Sequence, residues 1–212
     1  MRVIKKGKEP KSLTKYKKQS NAYYDGCNKA DIRRALLKEQ GHLCAYCMSR
    51  ISEDKMTIEH YNTQSSIDEK EALDYTNMLG VCMGNRGAGS IDKFTCDAHR
   101  GNEEITVNPF DKSSIDLIEY DNDGRIYSNN ADIDKDLNET LNLNCEEVLL
   151  KLNRKRTLEA LKKYLYELRT RGTWKKEFLE KIKRQYELPD ENGKLDPYSG
   201  VILYYLNKRM GK

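Results

Sequence analysis

At 212 residues the chain can bury one good core, or a small core carrying a helical appendage. Charged residues make up 34% against 37% hydrophobic, nothing approaches the roughly 18 apolar residues of a membrane span, and Met1-Arg2-Val3-Ile4-Lys5-Lys6 lacks a signal-peptide apolar region, so a cytoplasmic protein with no membrane role is expected. The net charge of +4 is segregated into +7 over residues 1–20, −10 over 103–147 and +9 over 151–185; the basic stretches fit phosphate-backbone binding, although lysine-rich helices can equally be solvated faces.

The first 25 residues are basic and polar with little periodicity, and read as an arm. A short helix is expected from about Cys27, capped by Asn28 or Asp31, with Ile32, Ala35 and Leu36 on one face and Gly41 at its end. Residues 42–112 show little regular periodicity apart from a strand-like Met56–His60. Ile115–Tyr120 and Gly124–Tyr127 alternate around Asn122-Asp123-Gly124 and predict a hairpin. Glu146–Thr170 predicts a long helix, with Leu158, Leu161, Leu165 and Leu168 at heptad-like spacing. Thr173 is expected to cap another, with Trp174, Phe178, Ile182 and Tyr186 four apart. Asp196-Pro197 should cap and open a last helix through Tyr205. The leucine and aromatic stripes read as core or as partner surface.

Six cysteines could form three disulfides, but a Cys-x2-Cys pair in a chain without an export signal favours metal. Cys44-x2-Cys47 lets one turn of backbone aim two thiolates at one Zn²⁺. Cys82 and Cys96 supply the remaining two ligands of a structural, tetrahedral site that needs no open position. Met83–Thr95, between them, contains Gly84, Gly87 and Gly89 and reads as a flexible insertion that lets the two thiolates converge. His99 is the alternative fourth ligand, through Cys96-x2-His99. Cys27 and Cys145 read as ordinary buried thiols, and His42 as a packing residue.

The three histidines all fall within this cysteine-framed segment. Hydrolysis of a phosphodiester needs a base for water, a cation on the phosphate and a donor for the accumulating charge. His60, at the end of the Met56–His60 strand, can be the base, because neutral imidazole is available near pH 7. Glu59 and His99 can hold a hard divalent ion such as Mg²⁺. Arg100 is positioned to meet a phosphate oxygen. Asn77, five residues before Cys82, would hold the His60 loop in shape.

These residues resemble the HNH, or ββα-metal, nucleases: Cys-x2-Cys, an acidic residue followed by histidine, Asn five before a cysteine, then a cysteine followed by His, Asn or Lys. The resemblance implies Glu59 and His99 (or Asn102) as ligands of the catalytic ion, His60 as base and Asn77 as the loop-holding member. Leu36–Cys47, Ile58-Glu59-His60-Tyr61, Thr95-Cys96-Asp97 with Gly101-Asn102, Asn108-Pro109 and Thr140-Leu141-Asn142-Leu143-Asn144 are similar to the HNH subunit of Septu antiphage defence systems, which also occurs as a retron effector. That likeness spans about residues 1–210 and accommodates the split second cysteine pair. Glu59 stands where Asp is commoner, and Arg100 where Lys is frequent; both keep the charge. The resemblance implies an ABC-type ATPase partner, with a reverse transcriptase and its DNA product in retron versions, and the helical second half is the candidate docking surface.

The expected fold is α+β: a basic arm and helix over 1–40, a zinc-supported ββα-metal nuclease core over 41–112, and a hairpin with a helical module over 113–212. The expected activity is metal-dependent cleavage of nucleic acid, DNA or a structured RNA such as tRNA. The rival readings are a non-catalytic zinc module that binds nucleic acid and a structural adaptor of the ATPase.

Overall fold

The computed structural model describes residues 1–168 and 174–211, and its N-terminal segment does not project as an arm. Helix α1 (Lys11–Tyr16) seats Leu13 in the core, and ahead of it Met1 and Ile4 are buried, with Ile4 N–H donating to Pro109 O at 2.8 Å. Two of the basic residues are held internally. Arg2 donates to the carbonyls of Tyr186 and Glu187, and Lys6 to Glu39 and to Met78 O. The cause of the departure is that Met1, Ile4 and Leu13 are too irregularly spaced to show a period. Each still gains roughly 1.5–3 kcal/mol on leaving water.

Helix α2 (Lys29–Glu39) begins where Asn28 Oδ1 accepts the Ala30 and Asp31 N–H groups, and it buries Ile32, Leu36 and Leu37. It ends at Gly41, whose φ of +58° suits glycine, and whose place a Cβ would contest with the Leu195 side chain. The Gln40 side chain then ties this helix to the sheet: its amide donates to Leu43 O and Gly80 O and accepts from Gly80 N–H, at 2.7–2.8 Å. Strands β1 (Thr57–His60) and β2 (Met78–Val81) pair antiparallel, with Glu59 opposite Leu79 and His60 opposite Met78. A four-residue helix, α3 (Asp97–Arg100), follows the loop after β2.

The second half opens with α4 (Lys112–Asp116), which takes up Ile115, expected in the hairpin. The hairpin itself is β3 (Ile118–Tyr120) with β4 (Ile126–Ser128). Gly124 turns it at φ +81°, where a Cβ would strike Lys151 O. Helix α5 (Ala131–Lys135), capped by Asn130, runs into a π-helical turn over Asp136–Thr140. Asn144 then pairs with both the N–H and the C=O of Ile126, while buried Arg154 donates to Gly124 O, Leu143 O and Asn144 Oδ1.

Helix α6 (Leu150–Glu167) starts later than expected, after a short 3₁₀ turn and Leu149 at φ +52°. Helix α7 (Lys176–Glu187) follows; Thr173, expected as its cap, lies outside the described residues. The last helix, α8 (Ser199–Arg209), enters through Tyr198 at φ +58°, not through an Asp196-Pro197 cap, because the Tyr198 N–H is drawn to Met48 O. Leu158, Leu161, Leu165, Leu179 and Ile182 are buried in a core that runs continuously from Met1 to Leu206. The leucine stripe expected to dock a partner is therefore interior up to Leu165, and only Leu168 is exposed. Among the described residues no helix is long and apolar enough to cross a membrane.

Candidate metal centre and active site

Four segments converge on one cluster of sulfurs. The chain turns tightly through Cys44–Ser49, with Cys44 N–H donating to Ser49 O and Met48 N–H to Cys44 O, and this aims Cys44 and Cys47 the same way. Cys82 follows the end of β2, and Cys96 opens α3. Their Sγ atoms all lie within 4.8 Å of one another, with Cys44–Cys96 at 3.9 Å and Cys47–Cys82 and Cys82–Cys96 at 3.7 Å. A tetrahedron of sulfurs about 2.3 Å from Zn²⁺ has edges of about 3.8 Å, so the four cysteines could hold a zinc ion. Hydrogen bonds from the other three sulfurs hold the Cys47 thiol well below its usual range, while burial pushes Cys44 up. Cys96 sits at φ +56°, ψ −140°, a region costly for a residue with a side chain, and that strained turn is what delivers both its sulfur and Asp97. Cys27 and Cys145 are buried free thiols outside the cluster.

The strand beside this cluster sorts its polar residues by face, since neighbours along an extended strand point to opposite sides. Thr57 and Glu59 share the side that meets α3. Glu59 is 7% exposed, and its Oε1 receives Arg100 Nη1 at 2.5 Å and Tyr46 OH at 3.3 Å. Asp97 lies within hydrogen-bonding reach of Glu59 and also accepts from Thr57 Oγ1 and Arg86. Burial first, and then the Asp97 carboxylate, push the Glu59 carboxyl up to about 8, against the opposing pull of Arg100. Near neutral pH the Glu59 carboxyl is therefore held largely in its protonated form.

Arg100 does not face solvent as a phosphate contact would. It is 1% exposed, and its guanidinium donates to Glu59, Tyr46 OH and the carbonyls of His60, Tyr61 and Glu103. The reason is geometric: on so short a helix, the residue four after Cys96 turns inward over β1. His99 lies outside the sulfur cluster, and its Nδ1 meets Thr140 O at 3.0 Å, which leaves Nε2 as the nitrogen able to ligate an ion. Asn102 is exposed just beyond the helix.

His60 occupies the other side of the strand end, 5% exposed, with Nε2 2.8 Å from Ala72 O. A carbonyl only accepts, so Nε2 carries the hydrogen and Nδ1 is left with the lone pair. Burial lowers the imidazole pKa, with the charge of Lys29 adding to it, so the ring is neutral near pH 7. The Tyr24 ring stands edge-on to it, centroids 4.6 Å apart. Asn77 grips the next turn at both ends, accepting from Asn62 N–H at 2.7 Å and donating to Asn62 O at 3.1 Å.

Asp97 is the residue that sequence reasoning passed over. Its signal lay in its position directly after a cysteine of the sulfur cluster, but histidine outranked it on chemistry alone. Neither the scan against protein families nor the search of curated proteins found a match to this chain.

Proposed function

We propose that the chain is a metal-dependent endonuclease of the HNH type, with a structural zinc at Cys44, Cys47, Cys82 and Cys96. The observation that carries this reading is the Glu59–Asp97 carboxylate pair, with a neutral histidine of defined tautomer next along the strand on its other face. A two-stranded antiparallel sheet followed by a short helix, stapled by sulfurs, is the frame in which a ββα-metal site is built.

In this reading Glu59 and Asp97 hold the catalytic divalent ion, Asp97 taking the place expected of His99. The bound ion would withdraw charge from a phosphate oxygen. His60 accepts a proton from water at Nδ1, because Ala72 O occupies Nε2–H. Asn77 keeps the turn after His60 from shifting. Arg100 positions Glu59 and the His60 and Tyr61 carbonyls and touches no substrate. The ATPase partner, and the reverse transcriptase of retron versions, belong to the same proposal. Since the leucine stripe is interior, such a partner docks elsewhere on the helical half.

Plasmid DNA, phage DNA and total tRNA, incubated with the chain and its ATPase with and without Mg²⁺, test the reading. Cleavage that needs the ion and vanishes in His60→Ala is the expected result, and undiminished cleavage by that variant overturns it. One observation favours a non-catalytic zinc module instead: Glu59 is already engaged by Arg100. That rival predicts salt-dependent binding with no cleavage under any divalent ion.

A further inference from the structure

The corner where the chain enters α2 gathers three cations, Lys29, Arg33 and Arg34. Tyr24 stands against the His60 ring, and Lys29 Nζ lies 4.2 Å from the centroid of the Tyr24 ring. Arg33, one helical turn beyond Lys29, is near enough for its charge to act on Tyr24. Its neighbour Arg34 is paired with Asp31 and Glu53. Arg33 has no ion pair among the described residues, and its Nε is shut away from water without an acceptor. A donor shut away from water is equally shut away from a phosphate, so it is the terminal nitrogens of Arg33, which are not so closed off, that an arriving anion would meet. Besides the Tyr24 ring, Lys29 is bound to the exposed Asp25 at 2.7 Å, a pairing that an arriving anion can displace. Two cations beside an aromatic ring, with the half-exposed Tyr23 next along the chain, are the elements that track a nucleic-acid strand.

We propose that Tyr24, Lys29 and Arg33 form a phosphate-binding edge, which lays a nucleic-acid strand along the His60 side of β1. The proposal rests on the nuclease reading for its account of what His60 then does. An acidic protein segment would satisfy the same two cations, but it would leave the aromatic pair unused.

The test is fluorescence anisotropy on the full chain without added divalent ion, using a random-sequence DNA duplex as probe over a salt series. Arg33→Ala and Lys29→Ala should each weaken binding several-fold and reduce the slope of log affinity against log salt by about 0.9, the value of one phosphate contact. Arg33→Lys should recover most of that slope. With Mg²⁺ present, Arg33→Ala should raise KM and leave kcat near wild type. Arg33→Ala removes an unpartnered donor, and an unchanged thermal midpoint confirms that it folds. Lys29→Ala, half-buried at the helix start, supplies the second variant. Unchanged affinity and slope in both alanine variants overturn the edge, and so does loss of ATPase capture with nucleic-acid binding intact. If the wild type cleaves and Arg33→Ala is indistinguishable from it, the edge falls and the nuclease stands. If the slopes change as expected but no divalent ion supports cleavage, the edge stands and the nuclease falls.

Discussion

Arg100→Met separates two roles for one side chain. As a phosphate contact, Arg100 would matter to binding and little to folding. As observed, it is buried with the Glu59 carboxyl and three backbone carbonyls, and its removal leaves all of them behind. With its carboxyl pushed up to about 8, Glu59 is largely protonated near pH 7, so the cost there is set by unmade hydrogen bonds at three buried carbonyls and the Tyr46 hydroxyl and not by a broken ion pair. A loss of about 3 kcal/mol, the upper end for leaving a buried group unsatisfied, is therefore expected near pH 7. For a chain of this length that corresponds to a fall of about 6–12 °C in Tm. Urea unfolding at fixed, saturating zinc measures it, because ligand occupancy shifts apparent stability. Arg100→Lys should fall between, since an ammonium cannot reproduce the guanidinium fork. Adding Glu59→Gln to Arg100→Met should recover about 1 kcal/mol above pH 8, where the ionised carboxylate is otherwise left without its partner. The reasoning is refuted if Arg100→Met unfolds within about 0.5 kcal/mol of wild type, the range of an ordinary surface substitution.

Purified chain should contain about one zinc ion by elemental analysis, and Cys44→Ser or Cys82→Ser should lose it together with solubility or stability, because zinc binding is part of the folding energy; both variants folding with zinc retained would contradict the ligand set. Asp97→Ala should impair cleavage far more than His99→Ala under identical Mg²⁺, and the reverse order would restore His99 as the ion ligand. Glu59 has a folded pKa of about 8 against an ordinary 4.5, so its contribution to stability is full below the lower value and is lost as pH rises through the higher. Ion binding needs the ionised form, so Mn²⁺ affinity measured by calorimetry should climb with pH up to about 8, by at most about tenfold per unit, and Glu59→Gln should flatten the climb. An affinity independent of pH in the wild type would sink that assignment.

What could be read in the residues divides along physical lines. The sulfur cluster was legible through the Cys44-x2-Cys47 pair, although the thirteen residues between Cys82 and Cys96 depart from the usual second Cys-x2-Cys. The start of α2 was legible because Asn28 and Gly41 act locally. β2 was not, since Met78-Leu79-Gly80-Val81 is buried on both faces and shows no alternation. Asn77 could be assigned its loop-holding place because an amide serves two backbone groups at once. The orientation of Asp97, His99 and Arg100 could not be assigned, because a helix of four residues takes its rotation from the strained Cys96 turn and from the sheet beneath it. The basic N-terminal segment misled for a related reason: three buried side chains outweigh its charges in deciding where the backbone runs.

The loop from Met83 to Thr95 hangs between two of the sulfur positions, so its ends are clasped whatever its middle contains. Gly87 and Gly89 face open space, with no atom near enough to resist a side chain. Closing a flexible loop costs only about 0.6 kcal/mol more for each doubling of its length. The clasp therefore makes this a stretch of the candidate nuclease core where length is nearly free, and a peptide spliced between Gly87 and Gly89 would ride beside the site without being asked to fold with it. Growth by insertion, and the grafting of a new recognition loop, are open here in a way that they are not at the Gly124 turn, where the Lys151 backbone fills the space.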